Sequence, residues 1–524
     1  MKNNFFKSLL RYFCLIAICL TTSAYAQNSE SVRRAAEQGD ATAQFNLGKM
    51  YIFGQGVTQN YSEAFKWTRK AAEQGNAKAQ SNLGMMYQRG QGIAQDYVEA
   101  AKWYRKAAEQ GVALAQDNLA SLYFYGKGVE QDYTEALKLC REAAEQGYAP
   151  AQNNLASMYA QGRSVTQDYA EAVKWYRKAA EQGNANAQYG LGLMYANGQG
   201  VAQDYSKAVM WYRKGAEQGN AKAQCGLGLR YANGQGVTQD YAEAVTWYRK
   251  GAEQGNACAQ SNLGRMYYIG QGVTQDYAQA LIWYRRAAEQ GDVNSQYGLG
   301  LLYANGQSVA QDYTQAVNWY LKAAEQGYVV AQYGLGAIYD NGQGVAQDYA
   351  QALMWYRKAA EQGYSDAQNN LGRLYSNGKG VAQDYVQAAA WYRKAAEQGN
   401  SYAQCNIGIL YDNGHGVAQS DAQALEWYQK SAAQGNSCGQ NNLGAMYYTG
   451  QGVPQNEALA LELFQKAAAQ GNAQAQYSLN MIYSNNQGAA PDFSPSGGGR
   501  ERRPSGGASL PQATPMPKSP ISSK

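Results

Sequence analysis

A glycine recurs every 36 residues through this chain of 524. It stands at 39, 75, 111, 147, 183, 219, 255, 291, 327, 363, 399, 435 and 471, closing the signal (A/E)-x-Q-G each time without an insertion. All ten tryptophans fall at one phase, 28 residues after that glycine, from Trp67 to Trp427, and Leu139 and Leu463 take the two remaining places. A single irregular core cannot impose such spacing. Self-similarity at a fixed period of this length marks stacked supersecondary units, each too small to bury its apolar face alone. The chain is therefore expected to be all-α, an α-solenoid of about twelve 36-residue helix-turn-helix units.

One period, 184–219, shows why each unit is a helix pair. Asn184 can cap a first helix that carries Ala185, Leu191, Met194 and Tyr195 on roughly one side. Gly192 sits in mid-helix, and glycine or alanine fills that place in every complete unit, which implies that another helix presses there. Gly198 ends the helix as a left-handed residue. Asp204 opens the second helix, and an N-capping residue stands there in each unit, with Glu or Gln three residues on in ten of twelve. Tyr205, Ala208, Trp211, Tyr212 and Ala216 form its apolar stripe, read as core. A partial helix at 27–39 precedes twelve units over 40–471, and a lone helix at 472–486 closes the array as a cap.

The ends are different. Lys2, Lys7 and Arg11 precede the apolar run Tyr12–Leu20, and Ala24-Tyr25-Ala26 supplies a small-x-small cleavage pattern, so residues 1–26 read as a signal peptide. Export follows as the expectation, to the periplasm or outside the cell, with no membrane span. The segment 487–524, rich in Gly, Pro and Ser, reads as a disordered tail. The formal charge of +5 lies in these ends: residues 27–488 hold 37 Lys+Arg against 38 Asp+Glu, a net of −1. Such a body gives no footprint for nucleic acid.

Chemistry has few footholds. The loop NGQGVAQDY (Asn197–Tyr205) resembles a phosphate cradle in isolation, yet close variants of it recur in every unit, as a connection between helices would. His415 is the single histidine, and the repeated Asp and Glu pairs are explained by helix capping. No catalytic residue, metal site or cofactor is assigned. Five cysteines follow the leader, and Cys225/Cys258 and Cys405/Cys438 repeat one spacing of 33 between first helices of adjacent units. Each pair is either an inter-repeat disulfide or the duplicate of a copied block carrying unpaired thiols. Cys140 is left alone in a tyrosine place of the core.

The pattern A-x-A-Q-x-x-L-G-x-x-Y-x-x-G-x-G-V-x-x-D-Y-x-x-A-x-x-W-Y-x-x-A-A-E-Q-G, as at Ala185–Gly219, resembles the Sel-one-like repeat (SLR) family, relatives of the tetratricopeptide repeat, over about residues 30–484. Leu139-Cys140 in place of Trp-Tyr, Ser164 and Ser308 in place of the second loop glycine, and Arg230 at an apolar place depart from it. The resemblance implies a right-handed superhelix and a scaffold that binds a protein or peptide, without catalysis. A cell-wall or glycan binder (peptidoglycan included) and a β-lactamase-like hydrolase are the alternatives carried by cysteine-rich relatives. Disulfides in the family usually lie within a repeat, unlike the spacing here.

By the same likeness the first helices line a concave face, where side-chain variety sets specificity. The places three, six, ten, thirteen and fourteen residues after the repeat glycine vary widely, whereas glutamine five after it never changes. The seventh place is Asn46, Asn82, Asn118, Asn154, Asn262, Asn370, Asn406 and Asn442, suited either to a partner's backbone or to an inter-repeat ladder. Tyr189, Tyr297, Tyr333, Arg265 and Arg373 are expected interface anchors.

Overall fold

The computed structural model describes residues 29–485, and every regular element in that range is helical. A short helix at 29–37 precedes paired helices of 13 residues each, from Ala41–Phe53 to a last one at Ala473–Asn485. The leader and the tail anticipated above lie outside the described residues. Contacts divide the chain into two compact units, one running to Ala259 and one from Gln260. Both are stacks of helix pairs built by the same local rules, and the fold is an all-α solenoid.

Those rules are visible in Ala185–Asn197 and Tyr205–Glu217. The Asn184 side chain accepts the Ala187 N–H at 2.9 Å, and Gly198 closes the helix at φ 68°, donating its N–H to the Met194 carbonyl. Gln203 braces the turn by donating to the Ala196 carbonyl at 2.8 Å, and Asp204 accepts the Lys207 N–H to start the second helix. The second loop glycine has a separate cause. A Cβ on Gly200 would stand 2.2 Å from the Tyr169 carbonyl oxygen, so this loop rests on the preceding repeat's second helix. Ser164 and Ser308 keep the left-handed turn at φ 66° and 59°.

A tyrosine follows nine of the ten tryptophans, and seven of these, Tyr104, Tyr212, Tyr248, Tyr284, Tyr320, Tyr356 and Tyr428, are fully buried. Each ring lies against the mid-helix glycine of its own first helix. A Cβ on Gly192 would approach the Tyr212 ring to 2.7 Å, and one on Gly300 the Tyr320 ring to 2.4 Å. Ring burial offsets the roughly 1 kcal/mol that glycine costs inside a helix. The tryptophans form the edge of this core rather than its centre. Lys214 stands 4.4 Å over the Trp211 ring, and the same stack recurs from Lys70 on Trp67 to Lys430 on Trp427.

The unchanging glutamine is a buried tie between three helices. Gln188 donates to the Ala180 carbonyl of the preceding second helix at 3.1 Å and accepts from Gln218, at the end of its own repeat, at 2.7 Å. The acceptor half recurs from Gln74–Gln44 to Gln470–Gln440. A buried amide without both partners would cost about 1–3 kcal/mol, which explains why nothing replaces it.

Candidate functional site

First helices of consecutive repeats touch directly, as Ala185–Asn197 touches Ala221–Asn233 and Ser401–Asn413 touches Ser437–Thr449. No pair of second helices touches as closely among the described residues, so the first helices form the tighter side at these junctions. The variable residue six places after the repeat glycine falls on the seam between them. This placement corrects three of the expected interface anchors, Tyr297, Tyr333 and Arg373.

Tyr297 is 1% exposed, its ring 5.6 Å from Tyr320 of its own repeat and 5.2 Å from Tyr328 of the next. Tyr333 is buried in the same way, against Tyr356 at 5.8 Å and Tyr364 at 5.1 Å, and half-buried Tyr189 leans on Tyr212. The glycine after Tyr189 and Tyr297 makes room for the preceding repeat's ring: a Cβ on Gly190 would come within 2.6 Å of Tyr176 and one on Gly298 within 2.8 Å of Tyr284. Tyr297 and Tyr333 close seams and present no ring to a partner. Arg373 is likewise engaged. It forms an ion pair with Asp340 of the preceding first helix, whose carboxylate also accepts from the Tyr356 hydroxyl at 3.2 Å. Arg265 is half-buried, with its Nε lacking a hydrogen-bond acceptor.

The asparagine row divides. Asn154 donates across the seam to Asp117 at 2.9 Å, Asn406 to Asn369 at 2.9 Å, and Asn442 to the Cys405 sulfur at 3.4 Å. Asn370 is buried. Asn118 and Asn262 are half-buried, whereas Asn46 is exposed and lines a groove together with Asn82. Two seams are covalent: Cys225–Cys258 and Cys405–Cys438 are disulfides with Cα separations of 6.2 and 6.1 Å. Seam residues thus join repeats by ring stacking, by hydrogen bonds or by sulfur.

Cys140 is free and buried, its thiol donating to the Ala151 carbonyl at 3.3 Å, and burial pushes its pKa up to about 12. His415 stacks on Tyr385 at 4.6 Å. No cluster of His, Cys, Asp and Glu that could hold a metal occurs among the described residues, and no helix there is long and apolar enough to cross a membrane.

Two concavities open on the first-helix side of the N-terminal unit. The larger, about 760 Å³, is lined by Phe45, Lys49 and Phe53 of the first repeat, by Met85 and Arg89 of the second, and by Leu114 of the third. Phe53 is 63% exposed there. The smaller, about 220 Å³, lies between helices Ala113–Tyr125 and Ala149–Gln161, beside Cys140. It exists because no ring fills this repeat. In the other repeats a ring has glycine at one or both flanking places, such as Gly84 beside Tyr104 or Gly190 beside Tyr176. Here Ala120 and Asn154 both carry side chains, and cysteine replaces the ring. Thr68 takes the same place in the first repeat.

The Sel1 repeat family model matches twelve consecutive segments: 41–76, 77–112, 113–148, 149–184, 185–220, 221–256, 259–292, 293–328, 329–364, 365–400, 401–436 and 439–472. Among solved structures, the chain is 39% identical to a protective antigen present in uropathogenic Escherichia coli strains that displays an SLR fold. That match covers 90% of this chain and 99% of the antigen, with a TM-score of 0.69. It is 34% identical to a Sel1 repeat protein from Oxalobacter formigenes over 47% of this chain and 96% of that one, with a TM-score of 0.44. None of the curated proteins compared matches it. Repeats of this type generally mediate contacts between proteins. Twelve matched repeats and a near full-length relative establish that this chain belongs to the Sel1 repeat family.

Proposed function

We propose that this protein is an exported, non-catalytic scaffold that holds a partner protein on the first-helix face of its N-terminal repeats. The observation carrying this reading is the groove of about 760 Å³, where the variable places of consecutive first helices stay open instead of closing a seam. Exposed Phe53 with Phe45 and Met85 offers apolar contact, and Asn46 and Asn82 offer amide groups for a partner's backbone. Lys49, Lys78 and Arg89 are the charged residues of its lining, with no acid among them, which favours an extended segment mixing apolar and acidic side chains. Export is supported by the leader pattern and by cysteine pairs suited to an oxidising compartment.

Site-specific photo-crosslinking in producing cells tests this reading. A crosslinker at Lys49 or Met85 is expected to capture one discrete partner, and one at Lys102 on a second helix is not. Equal capture from both faces would overturn it. Binding of purified protein to peptidoglycan sacculi, undiminished by Phe53→Ala and Lys49→Glu, would favour a glycan-binding role instead.

A further inference from the structure

The small pocket beside Cys140 holds a carboxylate in an unusual position. Asp117 is 8% exposed and lines the pocket wall. Its one hydrogen bond comes from Asn154 to Oδ1 at 2.9 Å, and no ion pair reaches it among the described residues. A buried charge in such surroundings is costly unless a cation and further hydrogen bonds meet it. Burial raises the Asp117 pKa, an effect only partly offset by the Asn154 amide.

The same molecule shows how this situation is otherwise resolved. Asp340, 5% exposed at a seam in the other unit, is met by the guanidinium of Arg373 from the next first helix. Asp117 has no such residue. Arg163 also lines the pocket but forms no ion pair with it. What stands before Asp117 instead is open volume of about 220 Å³, walled by Phe124, Tyr125 and Met158. Aromatic faces and a thioether suit a flat, weakly hydrated cation on an alkyl stem.

The pocket also continues the groove. Leu114 lines the groove, and Asp117, Ser121 and Tyr125 line the pocket, three to four residues apart along one helix. A chain lying over the first three repeats therefore reaches the pocket mouth without leaving the first-helix face.

We propose that this pocket receives an arginine side chain of the partner, whose guanidinium pairs with Asp117 as Arg373 pairs with Asp340. The assignment rests on the scaffold reading and adds to it a position and a side-chain class: the bound segment carries an arginine just beyond its apolar and acidic stretch. Cys140 contributes by its small size, and Asn154 holds the carboxylate in place from the far side of the seam.

The test uses the full mature chain and the probe acetyl-Gly-Arg-Gly-amide, with acetyl-Gly-Gly-Gly-amide and acetyl-Gly-Tyr-Gly-amide as controls, followed by NMR titration. The arginine probe is expected to shift signals of Ser121, Tyr125 and Ser157, and to bind roughly ten-fold more weakly to Asp117→Asn, a loss of about 1.4 kcal/mol. The controls are expected not to bind there. Ser157→Arg, which places the chain's own guanidinium on the pocket wall, is expected to block the probe while the protein stays folded. Arg163→Gln is expected to leave binding intact. Equal affinity for wild type and Asp117→Asn, or no preference over the glycine and tyrosine probes, would overturn the assignment. Phe53→Ala with Lys49→Glu is expected to abolish partner crosslinking without touching probe binding, so a failed groove and a failed pocket are told apart.

Discussion

Asp117 and Asp340 pose one electrostatic problem in two places. Both carboxylates are sunk beside a first-helix seam, and both accept a hydrogen bond from a neutral side chain, Asn154 or Tyr356. Only Asp340 has a cation, and around it the repeat is filled by Tyr356. Around Asp117 the ring is missing and a pocket stands open. The difference teaches that a seam can be finished within the chain or left for something else to finish. Variation at first-helix places therefore has two meanings in this family member. Some residues vary because each junction is closed by its own chemistry, and others vary because they face outward.

The comparison can be broken or sharpened by substitution. The largest effect is expected at the covalent seams. Each disulfide closes a loop of 33 residues, worth roughly 3–4 kcal/mol in chain-entropy terms. Cys405→Ser with Cys438→Ser should speed hydrogen exchange in helices Ser401–Asn413 and Ser437–Thr449, and reduction of the wild type should reproduce the change.

Next comes the finished acid. Arg373→Met should destabilise its seam by about 2–3 kcal/mol, below the figure for a fully buried pair because Arg373 is 28% exposed. Equilibrium denaturation followed by hydrogen exchange across 329–377 would show it. Restoring a ring at the unfinished seam is smaller and conditional. Cys140→Tyr should cost roughly 1–3 kcal/mol by overpacking against Ala120 and Asn154. Ala120→Gly should recover most of that loss, leaving a filled repeat without a pocket. A stabilising Cys140→Tyr on its own would refute the rule that a ring here needs a neighbouring glycine.

The smallest effect is one of pH. Burial raises the pKa of Asp117, so the fold takes up its proton at a higher pH than the unfolded chain does. The resulting stabilisation is complete below the unfolded carboxyl pKa and is lost as pH rises through the folded one. The groups facing Asp117 are the Cys140 thiol, the Tyr148 hydroxyl and the Asn154 amide, and the one cation on the pocket wall, Arg163, forms no ion pair with it. After correction for the intrinsic exchange rate, the free energy of opening of Ala113–Tyr125 should therefore rise as pH falls towards the unfolded carboxyl pKa, and Asp117→Asn should flatten that dependence.

Most of the architecture was legible because it is local and repeated. The caps Asn184 and Asp204, the stop at Gly198 and the core tyrosines each follow from one residue type at one phase. The partner face was harder to read, since composition alone cannot tell a seam from a surface. Tyr297 and Arg373 have the side chains of interface anchors, and they are spent on Tyr320, Tyr328 and Asp340. What decides between the two meanings is how closely adjacent first helices approach, a tertiary quantity. One signal was present in the chain: glycine at 190 and 298 leaves room for the preceding repeat's ring, Tyr176 or Tyr284, which places the seventh position against packed core and not at a surface. Another was the coincidence of Ala120, Cys140 and Asn154, which announces the pocket once the ring's two neighbours are known.

The central claim, that one buried acid is finished and the other is not, is tested most directly by replacing each with its neutral isostere. The free energy of local opening, measured by hydrogen exchange at neutral pH, should rise for Asp117→Asn by about 1 kcal/mol, since an uncompensated charge is removed and the bond with Asn154 is kept. It should fall for Asp340→Asn, which strips Arg373 of its counter-charge. Opposite signs are the predicted result, and a loss of stability in both variants would contradict the account.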